Sequence, residues 1–143
     1  MDTPQQALPA DLIARFAAIV GEAHALRAAS DIAPFLVEPR NKFHGATPLV
    51  LRPGSVAEVS AILRLAGATG TPIVPQGGNT GVVGGQVPDA SGREVVVSLS
   101  RLNRIREVDP AGDTMTVEAG VILAEAQRVA DAADRLFPLS LAS

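Results

Sequence analysis

The 143-residue sequence has no cysteine, no tryptophan and no tyrosine, and it contains only four phenylalanines. Without cysteine the chain cannot form disulfides, use a thiol as a nucleophile or bind a metal through thiolates. Its two histidines, His24 and His44, do not form a metal-ligating pattern such as HxxxH. We therefore expect no metal site in this chain.

Lysine is also scarce, since Lys42 is the single one, and the formal net charge is −3. Scattered arginines and four phenylalanines cannot form a stacking platform flanked by positive charge, so we expect no nucleic-acid partner. No apolar run approaches the ~18 residues of a membrane span. No basic segment precedes an apolar core at the N-terminus, which argues against a secretory signal. We expect a folded cytoplasmic protein with no transmembrane segment.

Apolar periodicity predicts an α+β fold, a small mixed sheet with flanking helices on one side. The predicted helices run from Leu12 to about Ala25, ending at Gly21 or at the AAS from Ala28, from Ser55 to Gly67 or Gly70, and onward from Val121. Ser55 and Glu58 form a capping box at the start of the second helix. The predicted strands cover residues 49–51, 71–74 and 94–99, followed by a hairpin of residues 104–108 and 114–118 around the turn DPAGD.

The most informative segment is the glycine loop, residues 75–85, in which five of the 13 glycines fall within nine residues. A loop with so few side chains brings its backbone close to a ligand or adopts positive φ angles, and we expect a positive φ at Gly78. Successive backbone N–H groups can bind an anion, and Asn79 and Thr80 add side-chain hydrogen bonds. The loop therefore predicts a phosphate site.

Two common phosphate-binding motifs do not fit this loop. No lysine or arginine lies between Pro72 and Gly92, whereas a Walker loop needs a lysine, and the GxGxxG spacing of a Rossmann loop is absent. The residues alone leave alternatives open. The glycines could form a tight structural turn, the Asn79 amide could bind phosphate or brace the loop, and the Thr80 hydroxyl could bind phosphate or cap the turn.

Six blocks of sequence occur in the order and at the spacing of one enzyme family: FLVEPRNKFHG, LRPGSVAEVSAIL, PQGGNTGVVGGQVP, VVVSLSRLNRI, VEAGV and FPLSL. With these blocks the chain resembles the FAD-dependent oxidoreductases of the vanillyl-alcohol-oxidase superfamily, in particular the D-2-hydroxyacid dehydrogenase branch. The resemblance implies the first subdomain of a PCMH-type FAD-binding domain. It implies an N-terminal helix and extended segment in residues 1–45 and the N-terminal part of the FAD-binding domain in residues 46–143.

The resemblance also implies that the full-length protein uses FAD to oxidise a small D-2-hydroxyacid to the 2-oxoacid. D-2-hydroxyglutarate, D-lactate and glycolate are the candidate substrates, and a protein or a quinone is the candidate electron acceptor. Relatives are several times longer, so we expect the catalytic residues, the rest of the FAD-binding domain and the substrate cap to lie outside this chain. A homodimer is compatible with the resemblance. The alternatives are another FAD-linked oxidase such as a glycolate oxidase subunit, a stand-alone nucleotide-binding module without redox activity, and a structural remnant that binds nothing.

The cofactor-binding residues that the resemblance implies lie in the glycine loop and near the end of the chain. They are Pro75, Gln76, Gly77, Gly78, Asn79, Thr80, Gly81, Gly84, Gly85, Gln86, Pro138 and Leu139. Asn79 occupies the place where covalently flavinylated relatives often carry a histidine, so non-covalent FAD is expected. Gln86 departs from the serine or threonine that is often found at its position.

Overall fold

The computed structural model describes residues 7–141, in which helices and strands follow one another along most of the chain. In chain order the elements are α1 (Ala10–Val20), β1 (Ala25–Leu26), α2 (Ala29–Ile32), β2 (Val50–Leu51), α3 (Val56–Thr69), β3 (Ile73–Gln76), β4 (Val95–Ser98), β5 (Ile105–Asp109), β6 (Thr114–Val117) and α4 (Leu123–Ala132). Single 3-10 turns cover Glu22–His24 and Ala33–Phe35. None of the helices in the described part of the chain is long and apolar enough to cross a membrane.

The main sheet has four strands in the order β1-β2-β4-β3. β4 pairs in parallel with both β2 and β3, while β1 is antiparallel to β2. β5 and β6 form a separate antiparallel hairpin around the predicted turn. The α+β fold with a small mixed sheet is therefore confirmed.

The hydrophobic core lies on both faces of this sheet because side chains alternate along each strand. Val95 and Val97 of β4 pack in a cluster with Phe16 of α1 and Ile62 of α3. Val96 points to the other face, where it packs in a cluster with residues that include Ile32 of α2. The long helices α1 and α3 thus share one face, and the short α2 segment covers part of the other. The expectation that helices lie on one side only was therefore wrong.

The first predicted helix is too long. α1 ends at Val20, and Gly21 follows it with φ +81°, a left-handed conformation that glycine adopts without steric cost. Ala25 and Leu26, which the periodicity assigned to the helix or its end, instead pair with β2 as strand β1. A two-residue strand has no periodicity of its own, so its pairing partner alone defines it.

The ends of α3 agree with the predicted signals. Ser55 Oγ accepts a hydrogen bond from the Glu58 N–H at 3.2 Å, and the Glu58 carboxylate accepts one from the Gly54 N–H at 2.8 Å. The helix ends at Gly70, which has φ +65°, and not at Gly67. A serine cap and a glycine end therefore fix the length of the helix that leads into β3.

Strand β3 begins and ends two residues later than the predicted strand of residues 71–74. Gln76 is paired with Ser98 of β4, and both residues are buried. The glycine loop consequently begins in the last residues of β3 and continues from the carboxyl end of the parallel pair of β3 and β4. Ligands of such sheets usually bind at this end of the strands.

Candidate functional site

The glycine loop forms one wall of a cleft with a volume of about 770 Å³. Gly77, Gly78 and Thr80 line this wall. The facing wall is residues 119–125, which connect β6 to the first turn of α4, and Ser100, Asn103 and Leu141 complete the lining. The carboxyl end of β3 and the amino end of α4 therefore meet at this cleft.

The backbone of Gly77 and Gly78 is not covered by other parts of the described chain. A Cβ atom added at Gly77 would have no neighbour within 4 Å, and one added at Gly78 would contact only Thr80 Cγ2, at 3.8 Å. These two glycines thus leave open space for a ligand next to their backbone groups.

The expectation of a positive φ at Gly78 was wrong. The loop residues with positive φ are Asn79, at +55°, and Gly84, at +82°. A Cβ atom at Gly84 would lie 2.8 Å from the ring of Phe43. Position 84 therefore requires glycine, because its φ is positive and the Phe43 ring lies close. At position 78 the absence of a side chain leaves open space next to the backbone.

Two glutamine side chains brace the loop from within. Gln76 is only 1% exposed, and its Nε2 donates to the carbonyl oxygens of Phe35, at 3.1 Å, and Gln86, at 2.8 Å. Gln86 Nε2 in turn donates to the carbonyl oxygen of Gly81 at 2.5 Å. A Cβ atom at Gly81 would collide with the end of the Gln86 side chain. Both amide nitrogens are thus engaged with the protein backbone.

Asn79 is directed away from the cleft. Its Nδ2 donates to the carbonyl oxygens of Pro34, at 3.1 Å, and Val37, at 2.8 Å. Of the two alternatives for this amide, bracing the loop is the one that the structure shows. The groups of the loop that remain next to the cleft are the backbone of Gly77 and Gly78 and the exposed Thr80.

The other predicted site residues lie elsewhere. Pro75, Gly84 and Gly85 line a separate cleft of about 610 Å³ that also includes Phe43. Pro138 and Leu139 are exposed in the segment after α4, where the Leu139 carbonyl accepts a hydrogen bond from Gln127. A direct cofactor contact by these residues stays a prediction.

The facing wall of the cleft was not among the predicted site residues, although residues 119–121 belong to the VEAGV block that is part of the family resemblance. Its position is fixed by Gly120, whose N–H donates to the Leu102 carbonyl at 2.7 Å. A Cβ atom at Gly120 would lie 2.0 Å from the Leu99 carbonyl oxygen and 2.8 Å from that of Leu102. The wall can approach the end of β4 this closely because residue 120 has no side chain.

A buried carboxylate precedes this wall. Glu118 accepts hydrogen bonds from Arg104 Nη2, at 2.8 Å, from Arg104 Nε, at 3.1 Å, and from the Arg104 backbone N–H, at 3.0 Å. Arg106 Nη2 lies 3.3 Å from the same carboxylate. The Arg104 side chain is the main cause that lowers the pKa of Glu118 to about 2. The ionised Glu118 therefore ties the two strands of the hairpin together beside the cleft.

A second buried carboxylate, Glu38, shapes the segment behind the glycine loop. It accepts hydrogen bonds from the backbone N–H groups of Arg40 and Lys42, both at 2.6 Å, and of Phe43, at 3.4 Å. Burial raises the pKa of Glu38, but these hydrogen bonds outweigh it, so the pKa lies below its ordinary value. The turn that they hold places the Phe43 ring against Gly84.

These residues fit a dinucleotide cofactor. The cleft volume falls within the ~300–1,000 Å³ typical of small-molecule sites. Among the described residues that line the cleft there is no lysine or arginine, so an anionic group would be bound by backbone N–H groups and hydroxyls. Apolar wall residues such as Ile122, Leu123 and Leu141 provide surface for an aromatic ring system.

Solved structures share this fold. A structure of alkyldihydroxyacetonephosphate synthase superposes with a TM-score of 0.75 at 21% sequence identity, covering 90% of this chain and 25% of that one. A structure of p-cresol methylhydroxylase with substrate bound gives a TM-score of 0.74 at 20% identity, covering 92% of this chain and 26% of that one. These likenesses show that this chain has the fold of the corresponding parts of these two proteins.

Curated relatives are more similar in sequence. A D-2-hydroxyglutarate–pyruvate transhydrogenase of Saccharomyces cerevisiae is 36% identical over 82% of this chain and 23% of its own length. A putative mitochondrial D-lactate dehydrogenase of Schizosaccharomyces pombe is 38% identical over 78% of this chain and 21% of its own length. A probable mitochondrial D-2-hydroxyglutarate dehydrogenase of Oryza sativa is 33% identical over 94% of this chain and 24% of its own length.

The chain thus spans between a fifth and a quarter of the length of these curated relatives. The family described as FAD binding domain matches residues 47–143, which include the glycine loop and both walls of the cleft. With more than half of its residues matched, the chain belongs to this family of FAD-binding domains.

Proposed function

We propose that the product of the complete gene is an FAD-dependent dehydrogenase that oxidises a small D-2-hydroxyacid to the 2-oxoacid. In this proposal the present chain supplies the loop that binds the FAD pyrophosphate. The observation that carries it is the uncovered backbone of Gly77 and Gly78 in the cleft at the end of β3. The named activities of the curated relatives support the reaction class.

Bound FAD would supply the redox chemistry by accepting two electrons from the substrate. The residues of this chain bind and orient the cofactor. The backbone at Gly77 and Gly78 and the Thr80 hydroxyl offer hydrogen bonds to phosphate oxygens, while Ile122 and Leu141 on the facing wall offer apolar contact. Asn79 carries no nucleophile, so we propose that FAD is not covalently attached through this loop.

The finer parts of the proposal concern substrate, acceptor, assembly and location. We propose D-2-hydroxyglutarate or D-lactate as substrate, because both occur in the names of the relatives, and a protein or quinone as electron acceptor. A homodimer and a cytoplasmic location stay predictions, to be measured by light scattering and cell fractionation. Several of the relatives are named as mitochondrial.

The test is anaerobic reduction of the purified product of the complete gene. We expect a yellow protein whose absorbance near ~450 nm, a property of the oxidised cofactor, falls when D-2-hydroxyglutarate or D-lactate is added. The L-enantiomers serve as matched controls and should leave the band unchanged. A protein that binds FAD but is reduced by none of these acids would contradict the substrate class. A protein that binds ADP but no flavin would favour the stand-alone nucleotide-binding module.

A further inference from the structure

Side-chain amides of the glycine loop and its strand hold the backbone carbonyls of residues 34–37. The Asn79 Nδ2 atom donates to the first and last of these four carbonyls, at 3.1 and 2.8 Å. Gln76 Nε2 donates to the second, at 3.1 Å. The third accepts from the backbone N–H of Gly45, at 2.9 Å. Residues 34–37 therefore form a row of acceptors against which the glycine loop is fastened.

Position 79 makes two demands that asparagine meets together. Its φ of +55° lies in the left-handed region, which asparagine and aspartate tolerate better than most other non-glycine residues. Its side chain must also provide two N–H donors within a short reach, which an amide does and a carboxylate does not. Glycine would satisfy the conformation but offers no donor, and aspartate would place negative charge against two carbonyl oxygens.

The other polar atom of the Asn79 amide, Oδ1, also lies inside the protein and not in the cleft. The Oδ1 atom is buried and finds no hydrogen-bond partner within the described residues, which costs free energy. The two bonds from Nδ2 must outweigh that cost for this rotamer to persist. The Asn79 amide is therefore committed to residues 34–37, and its neighbours Gly77 and Gly78 face the cleft.

We propose that Asn79 is a positioning residue that holds the glycine loop in its cofactor-binding shape by fastening it to residues 34–37. This inference rests on the proposed function, in which the loop binds FAD. It assigns Asn79 no contact with the cofactor. Instead, Asn79 reduces the ordering that FAD binding would otherwise have to impose on a loop rich in glycine, and so raises the affinity.

The test compares two asparagines of the same conformation in the product of the complete gene. Asn79→Gly keeps the left-handed backbone and removes the donors, and Asn41→Gly makes the same change at φ +56° in an exposed turn. For Asn79→Gly we expect the Kd for FAD to rise about tenfold or more, as for the loss of two neutral hydrogen bonds. For Asn41→Gly we expect a Kd within twofold of wild type. Asn79→Asp retains the size and conformation, removes both donors, and should weaken FAD binding further.

The readout that separates positioning from general stability is turnover at saturating FAD. We expect both Asn79 variants to regain the wild-type kcat and flavin absorption spectrum once enough FAD is added, because the FAD-bound loop then has its wild-type shape. A Kd within twofold of wild type in either Asn79 variant would overturn the proposal. So would an unchanged Kd with a lower kcat at saturation.

A measurement on the wild type tests the proposal even if the variants do not fold. Backbone amide order parameters for residues 77–81 without FAD should be near ~0.85, the value of rigid backbone, and values below ~0.6 would overturn the proposal. Failure of the proposed function gives a different result, because the wild type itself would then not bind FAD.

Discussion

Replacing Gly120 with alanine should destabilise the protein and move one wall of the cleft. Real Cβ atoms essentially never approach another heavy atom closer than 3.0 Å, but the new Cβ would lie 2.0 Å from the Leu99 carbonyl oxygen. The backbone must therefore shift by about 1 Å, and the 2.7 Å hydrogen bond from the Gly120 N–H to Leu102 would lengthen beyond bonding distance. Overpacking costs about 1–3 kcal/mol and a lost hydrogen bond about 0.5–1.5 kcal/mol, so we expect a loss of about 1.5–4.5 kcal/mol.

Urea denaturation of the complete gene product gives this free energy of unfolding directly. Gly67→Ala is the matched control, since Gly67 lies in α3 and a Cβ there would meet nothing within 4 Å. That change should stabilise the protein by about 0.5–1 kcal/mol, because alanine loses less conformational entropy in a helix than glycine does. If Gly120→Ala were as stable as Gly67→Ala, the close approach of residue 120 to the end of β4 would be incorrect.

Four further predictions concern the cofactor site and its support. The Gly78→Val variant should fold with an unchanged Tm but bind FAD about tenfold more weakly or worse, because the valine side chain would occupy the open cleft. A variant with normal FAD content would refute this prediction. Acid precipitation should release the flavin into the supernatant, and a flavin-bearing peptide that contains Asn79 would contradict this. Because the pKa of Glu118 is about 2 when folded and 4.5 ordinarily, its stabilising contribution is complete above pH 4.5 and is lost as the pH falls toward 2. Glu118→Gln should flatten that part of a stability-against-pH curve, and an unchanged slope would argue against the bond to Arg104. Finally, the 143-residue chain alone should bind FAD more weakly than the complete gene product. Ile122 and Leu141 at the cleft are 67% and 60% exposed, so this chain alone leaves much of the cleft open to water. Equal affinities in calorimetry would refute this prediction.

Local signals predicted much of the fold. The alternation in β4 correctly placed Val95 and Val97 on one face, because a period of two residues follows from strand geometry alone. Ser55 and Gly70 mark the ends of α3, since capping depends on residues within one turn of the helix. Strand β1 was missed because two residues of extended chain become a strand only by pairing with β2, which lies 25 residues further along.

The sequence predicted where the site lies, but it did not predict which residues line the cleft and which hold the loop in place. The glycine content and the preceding strand pointed to the loop, and its place at the end of β3 agrees with that. The role of Asn79 depends on hydrogen bonds to carbonyls 42 and 45 residues earlier in the chain, which no local pattern encodes. Likewise, the need for glycine at position 120 arises from the approach of the Leu99 carbonyl, a contact that only the folded chain contains.

The contacts on the two sides of the glycine loop explain how a flexible composition can serve a binding site. Glycine loses more conformational freedom on folding than any other residue, so a ligand that had to order five glycines by itself would lose much of its affinity. Here Gln76, Asn79 and Gln86 supply hydrogen bonds that hold the loop on its protein side. The same glycines leave the cleft side free of side chains at Gly77 and Gly78. Because the ordering bonds come from side chains that do not line the cleft, the loop can be held in shape without filling the space that the cofactor needs.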